Sequence, residues 1–189
     1  MGKKYTTVID SNNPHLGGNF YELNPSTFCS EVWRYIIDKY AIKSVLDVGA
    51  GRGHAAKFFS DLGLNTQAID GLQQNVDTAV FPVIKIDLIE TSFETSVDLV
   101  NCIEVVEHVE EKYLDNLLAT ICSGRWLLMT HGLPGQDGWH HVNNQLPQYW
   151  IDHLDRRGFD LLVHETEEIK KRCGKAHHVK DSGMLFQRR

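Results

Sequence analysis

Glycines and acids that could hold a cofactor lie between two apolar segments of this 189-residue chain. The segment Ser44–Val48 predicts a buried strand, and a second apolar segment ends on Asp70. Closely spaced glycines separate the first strand from a helical segment that begins at His54. A strand, a glycine turn, a helix and a strand ending on an acid can hold a nucleoside-bearing cofactor at the carboxyl edge of a parallel sheet. The glycines of the turn are Gly49, Gly51 and Gly53.

The spacing of these glycines indicates the kind of cofactor. A dinucleotide fingerprint has the pattern G-x-G-x-x-G, which places a pyrophosphate against a helix N-terminus. Here the third glycine comes one residue earlier, and His54 occupies the position that the fingerprint gives to glycine. The acid before the turn, Asp47, is poorly placed beside a pyrophosphate but well placed to meet a cation. The pattern therefore favours a cofactor with an ammonium group, a ribose and no phosphate, and it disfavours a nicotinamide dehydrogenase.

The segment Leu46–Gly53, LDVGAGRG, resembles the first motif of class I S-adenosylmethionine-dependent methyltransferases. The resemblance implies that the turn, including Ala50, brings its backbone close to the methionine portion and the ribose of the cofactor. It implies that Asp47 organises the methionine end of the site, directly or through water. Asp70, followed by Gly71, falls where the family's ribose-binding acid lies, and it would accept both ribose hydroxyls. The alternative is an ordinary turn whose glycines only permit close packing.

Two later strand ends complete the cofactor site that the resemblance implies. Asp87 ends the third predicted strand and is followed by Leu88. In the family this position meets the adenine, and the acid accepts a hydrogen bond from the adenine amine. The alternative is an acid that only caps the strand. Cys102 and Ile103 end the fourth predicted strand, whose tip lies beside the sulfonium in that fold, so both are expected to border the cofactor.

The segment Asn101–His108 resembles the E-V-x-E-H signature that follows the fourth strand in many methyltransferases of small molecules and lipid precursors. His108 lies four residues after Glu104, so on a helical turn the two side chains face the same side. A neutral imidazole there could take a proton from an acceptor hydroxyl or amine, which typically accelerates a reaction by roughly 10²–10⁴-fold. The alternative is that Glu104 and His108 form a structural pair that orients the loop.

A loop over 132–146 is predicted to bind the methyl acceptor, because loops at the carboxyl edge of an α/β sheet commonly bind substrates. Trp139 could stack on a ring or a sugar face, and Asn143 could hydrogen-bond hydroxyl groups. His141 is assigned to the same acceptor site, and His140 is a further catalytic candidate. The alternative is that Asn144 and Gln145 only cap the helix that follows and that one histidine of the loop is simply exposed.

A metal site is a further interpretation, since two carboxylates and two imidazoles can bind Mg²⁺, Mn²⁺ or Zn²⁺ in a suitable geometry. The pattern E-x-x-E-H with a distant histidine resembles the small-RNA 2′-O-methyltransferases, which bind a catalytic metal with it. The same pattern also occurs in metal-free relatives, and this acidic chain shows no obvious RNA-binding module. The sequence therefore predicts no metal. The residues concerned are Glu104, Glu107, His108 and one of His131, His140 and His141.

The elements that must position these residues alternate between strand and helix, which predicts a mostly parallel sheet covered on both faces. We expect an α/β, Rossmann-like class I methyltransferase fold, with a seven-stranded, mostly parallel sheet that ends in a reversed hairpin. Asn24 and Pro25 suit the start of a first helix that runs to Tyr40. The predicted strands are 44–48, 65–70, 83–87, 97–103, 126–130, 159–164 and 183–187, and the later helices are 54–62, 72–79, 111–122, 147–157 and 166–173.

Composition is that of a globular protein without a disorder signature, since 42% of residues are hydrophobic and 23% are charged. We expect an N-terminal arm over 1–23 and a single methyltransferase domain over 24–189. The net charge of −6 makes nucleic acid an unfavourable partner. The four cysteines are scattered, and the chain has neither an apolar leader nor a membrane-length apolar segment. These features predict a cytoplasmic protein without membrane insertion.

Together these features predict an enzyme that transfers a methyl group from S-adenosylmethionine to an O or N atom of a small molecule or a sugar. The acceptor would be selected by the arm, with Tyr21 and the Gly17–Gly18 turn, by the segment after the fourth strand and by the 132–146 loop. The alternatives are a metal-assisted RNA 2′-O-methyltransferase and a non-catalytic S-adenosylmethionine-binding protein. The oligomeric state and the identity of the acceptor are left open.

Overall fold

The computed structural model describes residues 6–8, 12–20 and 24–189, with side chains over 12–17 and 24–189. Tyr21, which the sequence assigns to acceptor selection, lies outside the described residues. Within the predicted arm, β1 (Thr6–Val8) pairs antiparallel with β2 (Gly18–Phe20), and a 3-10 turn over Pro14–Leu16 lies between them. The described part of the arm is therefore folded back on itself rather than extended.

A seven-stranded sheet forms the centre of the protein, and helices lie against both of its faces. None of the described helices is long and apolar enough to span a membrane. The strands are β3 (Ser44–Val48), β4 (Asn65–Asp70), β5 (Ile84–Lys85), β6 (Val97–Cys102), β7 (Gly124–Met129), β8 (Phe159–Leu161) and β9 (Met184–Arg188). The helices are α1 (Ser30–Tyr40), α2 (His54–Asp61), α3 (Gln73–Asp77), α4 (Leu114–Ile121), α5 (Pro147–Asp155), α6 (Val163–Arg172) and α7 (His177–Ser182).

The order of the strands confirms the predicted fold. Across the sheet the order is β5-β4-β3-β6-β7-β9-β8, and the pairs from β5 to β7 are parallel. Strand β9 lies between β7 and β8 and is antiparallel to both, which is the predicted reversed hairpin. The direction of winding changes between β3 and β6. Open α/β sheets bind ligands outside the carboxyl ends of their strands at such a point.

Alternating side chains of the strands fill two cores, one on each face of the sheet. In β3, Val45 packs with α1, α6 and α7, whereas Leu46 packs with α4 and α5. Trp33 is fully buried in the first core and Trp150 in the second. Because strand residues alternate between faces, Asp47 lies on the face of Val45 and Trp33. Its place near the end of β3 brings this acid to the crevice.

Several predicted boundaries differ from the structure, which also contains α7, a helix that the sequence patterns did not predict. Two of the differences have a clear local cause. Asn24 does not begin a helix, because its Oδ1 accepts a hydrogen bond from Ser26 N at 3.0 Å and closes a turn, and α1 begins only at Ser30. Asparagine side chains commonly compete with helices in this way. The strand predicted over 159–164 ends at Leu161, and α6 begins at Val163. The charged helix formers that follow extend this helix toward the strand.

Candidate functional site

A cavity of about 710 Å³ opens where the carboxyl ends of β3, β4 and β6 meet. The glycine turn and Asp70 form one wall, and the loop between β7 and α5 (132–146, the β7–α5 loop) contributes Trp139 and His141. His15 of the arm lies at the same cavity. A cavity of this size can enclose most of a drug-sized ligand. Residues that the sequence assigns to the cofactor and to the acceptor thus line one cavity.

The glycine turn adopts a backbone that other residues tolerate poorly. Gly49 and Gly51 have φ angles of 62° and 56°, in the left-handed region that glycine occupies without steric cost. A Cβ on Gly49 would lie 2.3 Å from a methyl group of Val105. The backbone N–H of Ala50 donates to the Ile69 carbonyl at 2.9 Å, which fixes the turn against β4. The turn therefore presents its backbone to the cavity and leaves no room for a side chain at its first glycine.

Asp47 is a buried acid that is only half satisfied. Its Oδ1 accepts a hydrogen bond from the side-chain amide of Asn101 at 2.7 Å, and Asn101 in turn accepts one from Trp33 Nε1 at 2.9 Å. Its Oδ2 has no hydrogen-bond partner among the described residues. Burial raises the pKa of Asp47 to about 7, although the Asn101 hydrogen bond opposes the shift. Asp47 lines the cavity, so its carboxylate is available to a cation bound there.

Asp70 holds the glycine turn and the segment after β4 together. Its Oδ2 accepts a hydrogen bond from Gly51 N, and its Oδ1 accepts one from Leu72 N, both at 2.8 Å. Burial raises the pKa of this carboxyl. A Cβ on the next residue, Gly71, would lie 2.4 Å from a methyl group of Leu16, so the arm packs directly on this backbone. Oδ1 of Asp70 also accepts a hydrogen bond from Asn75 Nδ2 at 3.1 Å, so the remaining acceptor capacity of this carboxylate lies mainly at Oδ2.

Asp87 has a partner that sequence reasoning missed. Nε2 of His15 lies 3.1 and 3.0 Å from the two carboxylate oxygens of Asp87. The neighbouring Pro14 carbonyl accepts a hydrogen bond from Trp139 Nε1 at 2.7 Å. The arm therefore bridges the predicted adenine end of the cavity and the β7–α5 loop. No local motif signals this contact, because 72 positions separate the two residues of the pair.

Four further cofactor candidates divide into two that reach the cavity and two that do not. Leu88 and Ile103 line the cavity. Cys102 is fully buried in the core beneath α4 and α5, because the alternation of β6 turns its side chain to that face. Gly53 is the buried N-cap residue of α2, with a φ of 77°. The positions of Cys102 and Gly53 therefore do not support the cofactor contacts that the sequence assigned to them.

The end of β6 places Glu104 beside a histidine from α7. Oε2 of Glu104 lies 2.9 Å from Nδ1 of His178, and the Thr130 hydroxyl donates to Oε1 at 2.9 Å. Burial alone would raise the pKa of Glu104, but the hydrogen bond and charge of His178 outweigh it and hold that pKa below its usual value. The predicted pairing of Glu104 with His108 is wrong. The φ of Glu104 is 57°, and this left-handed residue interrupts the helical turn that the pairing required.

Glu107 and His108 face His141 of the β7–α5 loop. The rings of His108 and His141 meet edge to face, with centroids 5.0 Å apart. Neither carboxyl oxygen of Glu107 has a hydrogen-bond partner among the described residues, and burial, followed by the charge of Glu104, raises its pKa well above the usual value. Burial, followed by the influence of His141, lowers the pKa of His108 to about 4. Both Glu107 and His108 are therefore driven toward their uncharged forms.

The end of the β7–α5 loop is tied to the protein by buried amides. Asn143 is 2% exposed, and its side-chain amide donates to the Val109 carbonyl at 3.2 Å. It does not line the cavity, so its predicted contact with acceptor hydroxyls is not supported by its position. The interpretation that Asn144 and Gln145 cap α5 is also wrong, because no side chain caps this helix. These amides instead fix the loop that carries Trp139.

The middle of the loop presents Trp139 and His141 to the cavity but turns His140 away. Trp139 is 37% exposed at the cavity edge. His141 packs on Gly138, where a Cβ would lie 2.1 Å from its Nε2. His140 has a φ of 51°, lies 6.4 Å from His15 between ring centroids, and is not part of the cavity wall. Its position therefore does not support the catalytic role that the sequence assigned to it.

Comparison with known protein families decides the family of this chain. Residues 25–168 match the model of a methyltransferase domain family. The chain belongs to this methyltransferase domain family. A curated relative, the ubiquinone biosynthesis O-methyltransferase of Rickettsia bellii, is 35% identical over 124 residues, which cover 55% of this chain and 49% of that protein. The methyltransferase thus spans about half the length of the curated relatives it matches.

Solved structures share the fold of this methyltransferase at low sequence identity. An S-adenosylmethionine-dependent methyltransferase from Archaeoglobus fulgidus superposes with a TM-score of 0.60 and 17% identity, over 84% of this chain and 92% of that chain. Magnesium protoporphyrin IX methyltransferase from Synechocystis, solved with bound S-adenosylmethionine, superposes with a TM-score of 0.52 and 17% identity, over 70% and 67%. The predicted Rossmann-like methyltransferase fold is confirmed.

The cofactor of this methyltransferase is S-adenosylmethionine, and the residues of the cavity fit it. The unpaired buried oxygen of Asp47 can accept from the ammonium group of the methionine portion. The exposed backbone of the glycine turn leaves space beside it. Asp70 offers acceptor oxygens for ribose hydroxyls. Asp87 offers a carboxylate for the adenine amine, and His15, which now contacts this carboxylate, must either bind it together with the amine or move away.

The cluster predicted as a metal site is only partly brought together in this methyltransferase. Among the described residues, Glu107, His108 and His141 each offer one ligand atom within 4.8 Å of the others. Glu104 lies outside this group and pairs with His178. His131 is fully buried, with Nδ1 3.2 Å from the Gly132 carbonyl. The absence of a metal therefore stays a prediction.

Proposed function

We propose that this methyltransferase transfers the methyl group of S-adenosylmethionine to a hydroxyl oxygen of a small molecule, with a ring hydroxyl as the favoured class. The observation that carries the proposal is the continuity of one cavity. One wall of this cavity consists of the acids and glycines assigned to the cofactor, and the adjoining wall, near the end of β6, consists of imidazole and indole groups. The indole of Trp139 offers a face on which a ring can stack. The name of the Rickettsia bellii relative supports an oxygen acceptor on a small molecule.

In this proposal the protein contributes alignment and proton transfer. S-adenosylmethionine supplies a methyl carbon bound to a cationic sulfur. Asp47 and Asp70 hold the two ends of the cofactor's polar portion, so that its orientation is fixed before reaction. Trp139 and His141 bound the space for the acceptor ring. Glu104 and His108, the remaining catalytic candidates from the sequence, lie at the wall where the hydroxyl proton must be removed.

Three further features are proposed with this function. The compartment is reducing and cytoplasmic, which is supported by four free cysteines, three of them buried. The partner is a small acceptor rather than nucleic acid, which the net charge of −6 supports. The arm (1–23) and the domain (24–189) act together, because Trp139 bonds to the carbonyl beside His15.

The test combines calorimetry, which measures cofactor binding, with detection of the methylated product. We expect the purified protein to bind S-adenosylmethionine and to form S-adenosylhomocysteine with hydroxylated rings such as catechol, with the methyl group on oxygen. Asp70→Asn is expected to weaken cofactor binding by at least about tenfold, since it removes the charge from hydrogen bonds. The matched control is Asp77→Asn, an exposed acid at the end of α3, which should bind as the wild type does.

Three results would contradict the proposal in different ways. Binding of S-adenosylmethionine without transfer to any hydroxyl or amine would establish the non-catalytic alternative. Transfer to RNA but not to small molecules would establish the nucleic-acid alternative. Competition between NAD and S-adenosylmethionine for the same site would contradict the assignment of the cofactor wall.

A further inference from the structure

Glu104 and His178 form a pair that three separate elements hold in place. Glu104 follows β6, Thr130 follows β7, and His178 lies in the first turn of α7. Thr130 Oγ accepts a hydrogen bond from Glu104 N at 2.8 Å and donates one to the Glu104 carboxylate at 2.9 Å. Glu104 has a left-handed φ of 57°. Such backbone strain in a non-glycine residue persists only where surrounding contacts fix it, and it is common at functional sites.

The contact between the pair also fixes which nitrogen of His178 is free. Nδ1 lies 2.9 Å from Glu104 Oε2, and a carboxylate can only accept, so Nδ1 carries the proton. In the neutral ring, Nε2 is then the acceptor. The side chain of His178 is 23% exposed and lines the same cavity as Glu104. An imidazole that lines a cavity and bonds to a carboxylate through one nitrogen is an arrangement that can remove protons from hydroxyl groups through the other nitrogen.

Four other described histidines at or near the cavity are less suited to this task. Burial lowers the pKa of His108 to about 4, so it binds a proton weakly. His131 is fully buried, and His140 is not part of the cavity wall. His15 does contact a carboxylate, but that carboxylate is Asp87, at the predicted adenine end of the cavity.

We propose that His178 is a catalytic base for the acceptor hydroxyl and that Glu104 is its positioning residue. The inference deepens the proposed function and rests on it. The O–H bond of the acceptor breaks, and its proton moves to Nε2 of His178. The electron pair left on oxygen forms the new bond to the methyl carbon, while the pair of the breaking C–S bond stays on sulfur as S-adenosylhomocysteine leaves. His178 then returns the proton to solvent.

The first test compares two acceptors that differ in acidity. Catechol keeps its hydroxyl protons at mildly alkaline pH, whereas 4-nitrocatechol is largely ionised there because the nitro group withdraws electrons. We expect His178→Gln to lower kcat for catechol by about 100-fold or more, as general-base effects predict. With 4-nitrocatechol, kcat should stay close to that of the wild type. The KM for both acceptors and the Kd for S-adenosylmethionine should change little.

The matched control is His177→Gln, because His177 is the exposed neighbour whose ring lies 4.2 Å from that of His178. It should leave both rates unchanged. An equal loss of kcat with the two acceptors would show that His178 is only structural. A fully active His178→Gln variant would overturn the proposal outright.

A second test does not depend on activity. Nitrogen-15 histidine spectra of the protein with S-adenosylhomocysteine, followed across a pH titration, should show the neutral ring of His178 with its proton on Nδ1, and Glu104→Gln should perturb that signal. A proton on Nε2 instead would overturn the proposal. If the wild type methylates no acceptor, the proposed function fails, and the spectra still decide whether His178 has the tautomer that the pair requires.

Discussion

Two acid–imidazole clusters lie at the cavity, the first made of Glu104 and His178 and the second of Glu107, His108 and His141. All of these residues except Glu107 line the cavity, and the two acids are only three positions apart in the sequence. Glu104 bonds to His178 and Thr130, and its pKa is held below the usual value although burial opposes this. Glu107 has no side-chain hydrogen bond among the described residues, and burial together with the charge of Glu104 raises its pKa well above the usual value. The first cluster therefore carries the negative charge, while the second is driven toward neutrality.

The difference shows that the partner, rather than the residue type, decides which acid is ionised. Two carboxyls that share a low-dielectric site cannot both carry charge at little cost. His178 stabilises the charge on Glu104, and that charge in turn opposes ionisation of Glu107. An ionised acid stabilises the positive charge that a proton acceptor gains, whereas a protonated acid supplies no such charge. In our proposal, proton transfer therefore belongs to the first cluster, and His108 and His141 of the second cluster form a wall against which a ring can lie.

The largest expected effect comes from removing the charge of the first cluster. Glu104→Gln should lower kcat with catechol on the order of 100-fold, because the amide no longer stabilises a protonated His178. The control is Glu110→Gln, a nearby acid that pairs with Lys112 at the surface. Loss of the Glu104 charge should also lower the pKa of Glu107, which carboxyl carbon-13 shifts can follow. Equal kcat values for Glu104→Gln and Glu110→Gln would contradict the proposed difference in charge between the two clusters.

A third buried acid extends the comparison to the cofactor end of the cavity. Burial raises the pKa of Asp47 to about 7. Its ionised form attracts the ammonium group of the cofactor, and protonation removes that attraction, so affinity must fall as pH falls through this value. We expect the Kd for S-adenosylmethionine to rise roughly tenfold between about pH 7 and pH 5.5. Asp47→Asn should bind weakly with a flatter profile, and a wild-type Kd that is independent of pH would contradict this role.

The contrast also predicts a smaller effect for His108 than for His178. His108→Gln should lower kcat with catechol by only a few-fold, since burial lowers the pKa of His108 to about 4 and makes it a poor proton acceptor. The Kd for S-adenosylmethionine should be nearly unchanged. Steady-state kinetics on the two variants side by side measure the ratio. If His108→Gln lowered kcat as much as His178→Gln does, the catalytic base would have to be assigned to the second cluster instead.

The fold and most of the cofactor wall follow from local patterns. The apolar run of β3, the glycine turn and Asp70 lie within one βαβ unit, where spacing along the chain dictates position in space. The reversed hairpin follows from the last predicted strands. The start of α1 is an exception, because Asn24 uses its side chain to close a turn that competes with a helix cap.

The rest of the site could not be predicted because it is made by residues far apart in the chain. His178 meets Glu104 only when α7 reaches the tip of β6, and His15 meets Asp87 only when the arm packs on Gly71. The pairing of Glu104 with His108 failed for a local reason, since nothing in the sequence marks the left-handed backbone of Glu104. A charged residue with no oppositely charged residue near it in the sequence suggests a long-range contact, but the sequence does not show which residue makes that contact.

The smallest expected effect is that of a chelator. Glu107, His108 and His141 lie close enough to approach one cation, yet burial favours the protonated form of Glu107. A hard divalent cation prefers ionised oxygen ligands, so such a cluster attracts it weakly. We expect EDTA to leave the rate of methyl transfer unchanged, and Glu107→Gln, which imitates a protonated carboxyl, to keep most of the activity. Loss of activity in EDTA that Mg²⁺, Mn²⁺ or Zn²⁺ restores, together with an inactive Glu107→Gln variant, would show that the second cluster ionises to bind metal. The two clusters would then differ in what neutralises their acids, a histidine in one and a cation in the other.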